Sequence, residues 1–315
     1  MTTTGKFKKI ICLDFNGDEI SQECWDKIDN LSHKRAVTAE NELPQHSDTD
    51  ALLVKLGARI PGSIMDKLPK LTYVGMMGTG YGGIDINHAK KSGITVTNIA
   101  DYATEGVTEF TFGILLEHYR DIAKARIQAK DGNYSDNFGG SEIKGKKFGV
   151  IGLGGIGRRT AQIAQVFGAD VSYWSRNRKQ DAEKSGINYK ELDELIAESD
   201  IITLNLAYNP ETEGIITAAH IESLGKGTVF INPSPMELVD FEVLNARLKE
   251  NDTTFIFDHT DEMTEEQLKS LQPLDNAIAY PPIAYLTSEA SELKQQIYVD
   301  NIKNYLSHLP SNQVA

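Results

Sequence analysis

Residues 147–157 read KFGVIGLGGIG, and this stretch decides the fold of the 315-residue chain. Its apolar beginning has the composition of a buried strand, and its glycines have the spacing G-x-G-x-x-G directly before a helical stretch at 158–167. In that setting Gly152 permits a tight turn, Gly154 lets the backbone approach a diphosphate, and Gly157 lets the helix pack closely on the strand. The stretch therefore predicts a dinucleotide-binding turn. The alternative is a tight strand–helix turn that binds nothing.

The strand predicted over 170–174 carries the nucleotide preference. Proteins that bind NAD place an acid at the end of this strand, where it holds the ribose 2′-hydroxyl. Here Ser175 stands at that position and the sequence continues RNRK from Arg176. A 2′-phosphate is expected to accept a hydrogen bond from Ser175 and a bidentate pair from Arg176. The sequence therefore favours NADP(H) as the cofactor over NAD(H), and the alternative is a solvated basic loop.

Short strands and amphipathic helices alternate on both sides of the glycine turn. Strict alternation of this kind predicts parallel sheets covered by helices on both faces, and the chain is long enough for two such domains. One long helix is expected over 107–129, ahead of the glycine turn. A closing helix is expected over 288–309, where it would pack back onto the first domain.

Composition and charge exclude several classes of protein. The chain has 32 basic and 45 acidic residues, a net charge of −13, so its surface repels phosphate backbones and a nucleic-acid partner is not expected. Its two cysteines cannot staple a chain of this size, and the apolar surroundings of Cys12 indicate a buried free thiol in a reducing compartment. No stretch has the length of a membrane span, and the first residues lack the apolar core of a signal peptide. We therefore expect a cytoplasmic protein without a membrane partner, and the spacing of its histidines predicts no metal site.

Several segments carry a likeness to a known family. Nearly the whole chain resembles the D-isomer-specific 2-hydroxyacid dehydrogenases, most of all their glyoxylate and hydroxypyruvate reductases. The matching segments are 78–85 (GTGYGGID), 95–104 (TVTNIADYAT), 145–149 (GKKFG), 203–206 (TLNL) and 210–212 (PET). The resemblance implies a flavodoxin-like substrate domain from residues 1–102 plus 284–315, a Rossmann NAD(P)-binding domain from 103–283, and a cofactor cleft between them. It also implies a homodimer that pairs through residues 107–144.

The glycine turn and the resemblance together assign binding residues. The expected cofactor-binding residues are Thr104, Gly152, Gly154, Gly155, Ile156, Gly157, Ser175, Arg176, Asn177, Asn205, Leu206, Ala207, Pro233, Ser234 and Asp258. The residues expected to bind a small-molecule substrate are Leu56, Gly57, Gly78, Thr79 and Gly80.

The catalytic residues of the family are replaced in this chain. Family members use an Arg to hold the substrate carboxylate, a His as acid–base and a Glu to orient that His. These positions fall on Pro235, Pro282 and Met263, respectively, and Glu262 lies one residue short of the Glu position. Proline neither pairs with a carboxylate nor supplies the proton that an alkoxide needs after hydride transfer. The family's reaction is therefore not expected to proceed through these positions.

Three polar side chains nearby are candidates for the missing acid: Tyr280, Tyr285 and His259. A phenol serves as an acid when a neighbouring cation lowers its pKa; the alternative is an aromatic ring that fills the volume vacated by the His. For His259 the alternative is a histidine satisfied by its acidic neighbours. Asp261 and Glu262 are expected to form a solvated acidic turn.

Three functions remain open on the sequence. The first is an NADPH-dependent reductase of an imine, a conjugated compound or an unusual carbonyl compound, because such acceptors reduce the need for the lost His. The second is a non-catalytic NADP(H)-binding sensor or scaffold. The third is an ordinary 2-hydroxyacid reductase whose acid–base residue has been displaced.

Overall fold

Short apolar strands pair in parallel into two separate sheets in the computed structural model, which describes residues 5–15, 19–39, 42–43 and 48–315. The strands are β1 (Ile10–Leu13), β2 (Arg35–Thr38), β3 (Ala51–Lys55), β4 (Tyr73–Met77), β5 (Thr95–Thr97), β6 (Lys147–Ile151), β7 (Asp170–Trp174), β8 (Asn188–Tyr189), β9 (Ile201–Leu204), β10 (Val229–Asn232), β11 (Thr254–Phe257) and β12 (Ala277–Ala279). All the pairs between these strands are parallel.

Helices connect the strands, as parallel pairing requires. They are α1 (Gln22–Asp29), α2 (Gly62–Asp66), α3 (Ile86–Lys91), α4 (Thr104–Arg120), α5 (Ile122–Lys130), α6 (Gly155–Val166), α7 (Gln180–Lys184), α8 (Leu192–Glu198), α9 (Ala218–Glu222), α10 (Phe241–Leu248), α11 (Glu265–Leu271) and α12 (Ser288–Leu306). Of the described helices, none combines the length and the apolar character needed to cross a bilayer.

The chain divides into two units, each built on one sheet. The first unit comprises Met1–Tyr102 and Thr287–Ala315, and the second comprises Ala103–Leu286. In the described residues the first sheet has the strand order β2-β1-β3-β4-β5, which is the flavodoxin-like order. The second has the order β12-β11-β10-β9-β6-β7-β8, which extends the order of a dinucleotide-binding fold. The prediction of two parallel-sheet α/β domains is confirmed.

The last helix of the chain belongs to the first unit. Its Tyr298 is fully buried and donates from its hydroxyl to the carbonyl oxygen of Gly75 in β4 at 3.0 Å. Asn301, one helical turn further on, donates to the carbonyl oxygen of Asn98 at 2.8 Å. The helix ends at Leu306, earlier than the predicted end, because His308 adopts a left-handed conformation with φ of 60°.

The prediction of one continuous helix over 107–129 is wrong. Asp121 lies in the left-handed region, with φ of 49° and ψ of 38°, and it separates α4 from α5. Aspartate tolerates this conformation better than most residues because its short polar side chain can bond locally. Whereas α4 buries a row of apolar side chains, α5 buries none of its residues.

Both cysteines are free and buried, which confirms the prediction of a buried thiol at Cys12. Burial raises the pKa of the Cys12 thiol to about 12 and that of Cys24 to about 11. Because the thiolate is the reactive form, both side chains are core residues without nucleophilic character.

Candidate functional site

The glycine turn lies at the carboxyl end of β6, between β7 and β9 in the second sheet. Gly152 has a φ of +92°, and its amide donates to the carbonyl oxygen of Trp174 at 2.8 Å. A Cβ atom there would lie 2.4 Å from the Asn205 carbonyl oxygen, and one at Gly157 would lie 1.9 Å from the Gly152 carbonyl oxygen. These two glycines are therefore required by the fold itself. Gly154 differs, because no atom from elsewhere in the described chain, beyond Gly154 and its immediate neighbours, lies within 4 Å of the place where its Cβ would be.

The start of α6 offers free amides beside this open position. Arg158 donates its amide to the carbonyl oxygen of Gly154 at 2.9 Å. The preceding amides, of Gly155, Ile156 and Gly157, make no backbone hydrogen bond within the described residues. Free N–H groups at the positive end of a helix dipole attract an anion. The turn therefore has the geometry that a diphosphate needs.

Three residues predicted to bind the cofactor carry buried polar atoms without a hydrogen-bond partner in the described chain. These atoms are Oγ1 of Thr104, Oδ1 of Asn205 and Oδ1 of Asp258. The other such atoms belong to Thr108, Thr160, Asn245 and Thr253, outside the predicted set. Since buried polar groups in folded proteins are nearly always hydrogen-bonded, each of these three atoms is one whose bonding a ligand or water would complete.

The loops after β9 and β10 hold the other residues predicted on this side of the site. Leu206 and Ala207 follow β9, and Pro233 and Ser234 follow β10. Ser234 is buried, and its hydroxyl donates to the carbonyl oxygen of Leu204 at 2.7 Å. Its amide donates to the Asn232 side-chain oxygen at 3.0 Å. The Ser234 side chain therefore joins the loop after β10 to the end of β9.

The side chains of the basic loop after β7 already form hydrogen bonds and ion pairs within the protein. Ser175 is buried, and its hydroxyl donates to the carbonyl oxygen of Asn177 at 2.7 Å. Arg176 forms an ion pair with Glu211. Arg178 pairs with Glu183 at 2.5 Å, and its guanidinium lies 4.8 Å from the centre of the Tyr189 ring. In this structure the guanidinium of Arg176 is therefore occupied by Glu211.

His259 lies among carboxylates at the carboxyl end of β11. Its Nδ1 is 3.3 Å from Oε1 of Glu262, and its Nε2 is 3.8 Å from Oδ1 of Asp258. Glu262 also accepts a hydrogen bond from the amide of Met236 at 3.2 Å through its second oxygen, so it bridges His259 to the loop after β10. Asp261 and Glu262 are both exposed and lie in the short 3-10 turn Thr260–Glu262, as predicted for a solvated acidic turn; the contact of Glu262 with the Met236 amide was not predicted.

The electrostatics of this cluster favour a positive charge. Burial alone would lower the pKa of His259, but Glu262, Asp258 and Asp261 together raise it above the ordinary value. Burial raises the pKa of Asp258, against the effects of a hydrogen bond from the Ala284 amide at 2.9 Å and of the nearby His259. Among the described residues no Lys or Arg forms an ion pair with the three carboxylates.

Neither tyrosine candidate meets the condition for a phenol acid. The Tyr280 hydroxyl donates to Oε2 of Glu117 on α4 at 2.7 Å, and its ring packs edge-on against Phe110. Burial and Glu117 raise the pKa of Tyr280. Burial, Asp261 and Asp258 also raise the pKa of Tyr285. A neighbouring cation would have the opposite effect, and none acts on either phenol in the part of the chain that is described.

The predicted substrate residues lie together in the first unit. Leu56 and Gly57 follow β3, and the GTG run at 78–80 follows β4. A Cβ atom at Gly78 would lie 3.2 Å from the Leu56 side chain, and one at Gly80 would lie 3.5 Å from it. Thr79 donates from its hydroxyl to the Ile99 carbonyl oxygen at 2.9 Å. The contacts hold both loops at the carboxyl edge of the first sheet.

Comparison with known proteins identifies the family. A family model described as the NAD binding domain of D-isomer specific 2-hydroxyacid dehydrogenases matches residues 112–284. A hydroxypyruvate reductase from Blautia hydrogenotrophica is 31% identical over 314 residues, which cover 96% of this chain and 95% of the relative. The chain belongs to the D-isomer specific 2-hydroxyacid dehydrogenase family.

Solved structures agree with this assignment. An acyclic imino acid reductase in complex with NADPH and D-Arg superimposes with a TM-score of 0.83 at 26% identity, over 97% of this chain and 100% of that one. A D-lactate dehydrogenase from Aquifex aeolicus, bound to NAD and lactic acid, superimposes with a TM-score of 0.81 at 24% identity, over 95% and 96% of the two chains. The chain therefore has an NAD(P)-binding domain. One of these two similar structures contains NADPH and the other contains NAD.

The sequence allowed for acidic neighbours that satisfy His259, but it did not identify which carboxylate contacts Nδ1 or that Glu211 pairs with Arg176. Glu262 contacts His259 three residues earlier in a short 3-10 turn, Thr260–Glu262. The H-x-x-E spacing was the available signal, because residues three apart in a helical turn lie on one face. Glu211 has no such signal, since its partner Arg176 is 35 residues away in the sequence.

Proposed function

We propose that this chain is an NADPH-dependent reductase of carbon–nitrogen double bonds. One observation carries the proposal. A histidine stands among three carboxylates, and among the described residues no Lys or Arg is paired with them. Because carboxylates are negatively charged, this group of side chains stabilises a cationic iminium and destabilises an anionic alkoxide. The resemblance to the family also assigns the positions of its Arg and His to two prolines, Pro235 and Pro282.

The cofactor side supports binding of a nicotinamide dinucleotide. The free amides at the start of α6 would hold the diphosphate, and Arg176 would hold a 2′-phosphate. The unpartnered oxygens of Thr104, Asn205 and Asp258 would face polar atoms of the nicotinamide half. When bound, the reduced nicotinamide supplies the hydride that the iminium carbon accepts.

His259 is proposed as the general acid. Glu262 fixes the imidazole through Nδ1, while Nε2 lies beyond hydrogen-bond distance of Asp258 and stays free to donate. The raised pKa keeps the imidazole protonated further into the neutral range. Nε2 would give its proton to the imine nitrogen, Asp258 would stabilise the iminium, and His259 would then regain a proton from water.

The imino acid reductase supports this class of substrate. It is 26% identical to this chain over nearly the whole of both proteins, and it holds NADPH together with an amino acid. The reaction is tested by following NADPH oxidation by stopped flow with a panel of imines, with and without a carboxylate. Turnover of an imine supports the proposal. Tight NADPH binding without turnover on the whole panel would favour the non-catalytic sensor.

The open position at Gly154 leads to a testable prediction. Alanine at Gly154 should leave the melting temperature unchanged, because no atom from elsewhere in the described chain lies within 4 Å of its Cβ position and its φ is −78°. It should weaken NADPH binding at least about tenfold by blocking the approach of the diphosphate. Alanine at Gly157 is the matched control for folding, since its Cβ would lie 1.9 Å from a carbonyl oxygen. That variant should lose about 3 kcal/mol of unfolding free energy. Unchanged NADPH affinity in Gly154→Ala would contradict the assigned site.

We further propose that the chain is a homodimer that pairs through residues 107–144, by its likeness to the family. In support, Ile122 and Ile127 on α5 are 52% and 59% exposed, and Tyr134 after it is 83% exposed. Light scattering should give about twice 34.8 kDa. Lysine at both isoleucines should give a monomer, whereas lysine at the exposed Leu309 of the first unit should not. A wild-type monomer at micromolar concentration would refute the proposal.

A cytoplasmic site of action is proposed on the state of the cysteines. Cys12 in β1 and Cys24 in α1 are both free and buried. Free thiols persist in reducing compartments. Fractionation of cells that express the tagged protein tests this location.

A further inference from the structure

The ion pair between Arg176 and Glu211 joins the loops on either side of the glycine turn. Arg176 follows β7, and Glu211 lies in the loop between β9 and α9. The order β9-β6-β7 places β6, which ends in the glycine turn, between these two strands. The pair therefore lies where the adenosine half of a dinucleotide would enter the site.

Glu211 is held in place by a built turn. Its amide donates to the Asn209 side-chain oxygen at 2.9 Å, and the amide of Asn209 donates to the Thr212 hydroxyl at 2.9 Å. Thr212 in turn donates from that hydroxyl to the carbonyl oxygen of Ala207 at 2.8 Å. Glu213, two residues on, accepts instead from the Tyr208 hydroxyl at 3.3 Å. The loop thus fixes one carboxylate toward Arg176 and another away from it.

The pair is easily exchanged. The side chains of Arg176 and Glu211 are 74% and 73% exposed, and ion pairs at that exposure contribute little to stability. A 2′-phosphate carries more charge than a carboxylate and presents more acceptor oxygens, so it can replace Glu211 at the guanidinium. The displaced carboxylate would remain nearby as a like charge that opposes the phosphate.

The same carboxylate has a second use. NAD-binding proteins of this fold hold the ribose 2′-hydroxyl with an acid at the end of the second strand, where this chain has Ser175. Glu211 brings an acid to that neighbourhood from a different loop, through its contact with Arg176. It can accept a hydrogen bond from the 2′-hydroxyl of NADH, which carries no phosphate to repel it.

We infer that Glu211 is a specificity-determining residue that competes with the 2′-phosphate for Arg176 and thereby sets the ratio of NADPH to NADH affinity. The inference rests on the proposed use of a nicotinamide dinucleotide. Arg176 favours NADPH over NADH, and Glu211 reduces the difference between the two affinities. The site therefore accepts both nucleotides.

Titration of the full chain with NADPH and with NADH, followed by nicotinamide fluorescence, tests this role. Glu211→Gln should bind NADPH about three to tenfold more tightly and NADH about threefold more weakly, so the ratio of dissociation constants should change about tenfold or more. Arg176→Gln should lose the preference for NADPH. Glu213→Gln is the matched control from the same loop, and its ratio should stay within about twofold of the wild type.

The outcomes separate the inference from the proposed function. If the wild type binds both nucleotides and Glu211→Gln has the wild-type ratio, the inference fails and the reductase proposal stands. If the ratio changes equally in Glu213→Gln, the effect is the general charge of the loop, and the inference also fails. A wild type that binds neither nucleotide overturns the inference and the proposed function together. The melting temperature of each variant shows that it is folded.

Discussion

Replacing His259 with asparagine is expected to lower kcat for imine reduction by about 10²–10⁴-fold, the usual contribution of a general acid. Asparagine keeps a polar contact to Glu262 and removes the transferable proton, so NADPH affinity should stay within about twofold. His220→Asn is the matched control, because His220 also pairs with a carboxylate, Asp193, at 2.7 Å. That variant should retain wild-type kcat. Steady-state NADPH oxidation at saturating imine measures both.

The pH dependence of kcat provides an independent test of His259 as the general acid. The active form of His259 is protonated, so kcat should fall as the pH rises through its raised pKa. The groups that act on the imidazole are Glu262, Asp258 and Asp261, and burial opposes them. Glu262→Gln removes a raising contact, so the fall should move to lower pH. A His259→Asn variant that keeps both kcat and this limb of the profile would contradict the assignment.

Glyoxylate, hydroxypyruvate and pyruvate are expected to be turned over negligibly with NADPH. Pro235 offers no guanidinium for the substrate carboxylate, and Pro282 offers no proton at the family's position. The carboxylates of Asp258, Asp261 and Glu262 oppose the alkoxide that hydride transfer to a carbonyl would create.

These losses do not multiply simply, because catalytic groups act as a unit. We still expect kcat/KM at least about 10³-fold below that for an imine of similar size. Steady-state assays with the three acids measure this difference. A kcat near the typical ~10 s⁻¹ on any of the three would mean that His259 or another group serves the ordinary family reaction.

The sequence was sufficient for the architecture because the signals were local. The strand and glycines at 147–157 lie within one βα unit, and apolar strands such as Ala51–Lys55 are almost wholly buried. The strand Arg35–Thr38 has a weaker signal in the sequence, because it begins with a charged residue and is half-exposed at the sheet edge. The break at Asp121 was missed because the helical pattern continues on both sides of it.

The site was predicted less completely than the fold, because part of it depends on contacts between residues far apart in the sequence. The replacement of the family's catalytic residues by Pro235, Met263 and Pro282 stays a prediction from motif positions. The pairing of Arg176 with Glu211 and the reach of Glu262 to the Met236 amide depend on how loops after different strands meet. Such contacts are set by the folded sheet, and local sequence patterns do not encode them.

Reduction of carbon–nitrogen double bonds is tested most directly by supplying the same keto acid with and without an amine. Glyoxylate and pyruvate form imines with methylamine in solution, so the carbonyl and the C=N acceptor can be compared at equal carbon skeleton. We expect NADPH oxidation with keto acid plus methylamine, formation of the N-methyl amino acid, and only background oxidation with the keto acid alone. Equal rates with and without methylamine would contradict the assignment of this site to carbon–nitrogen double bonds.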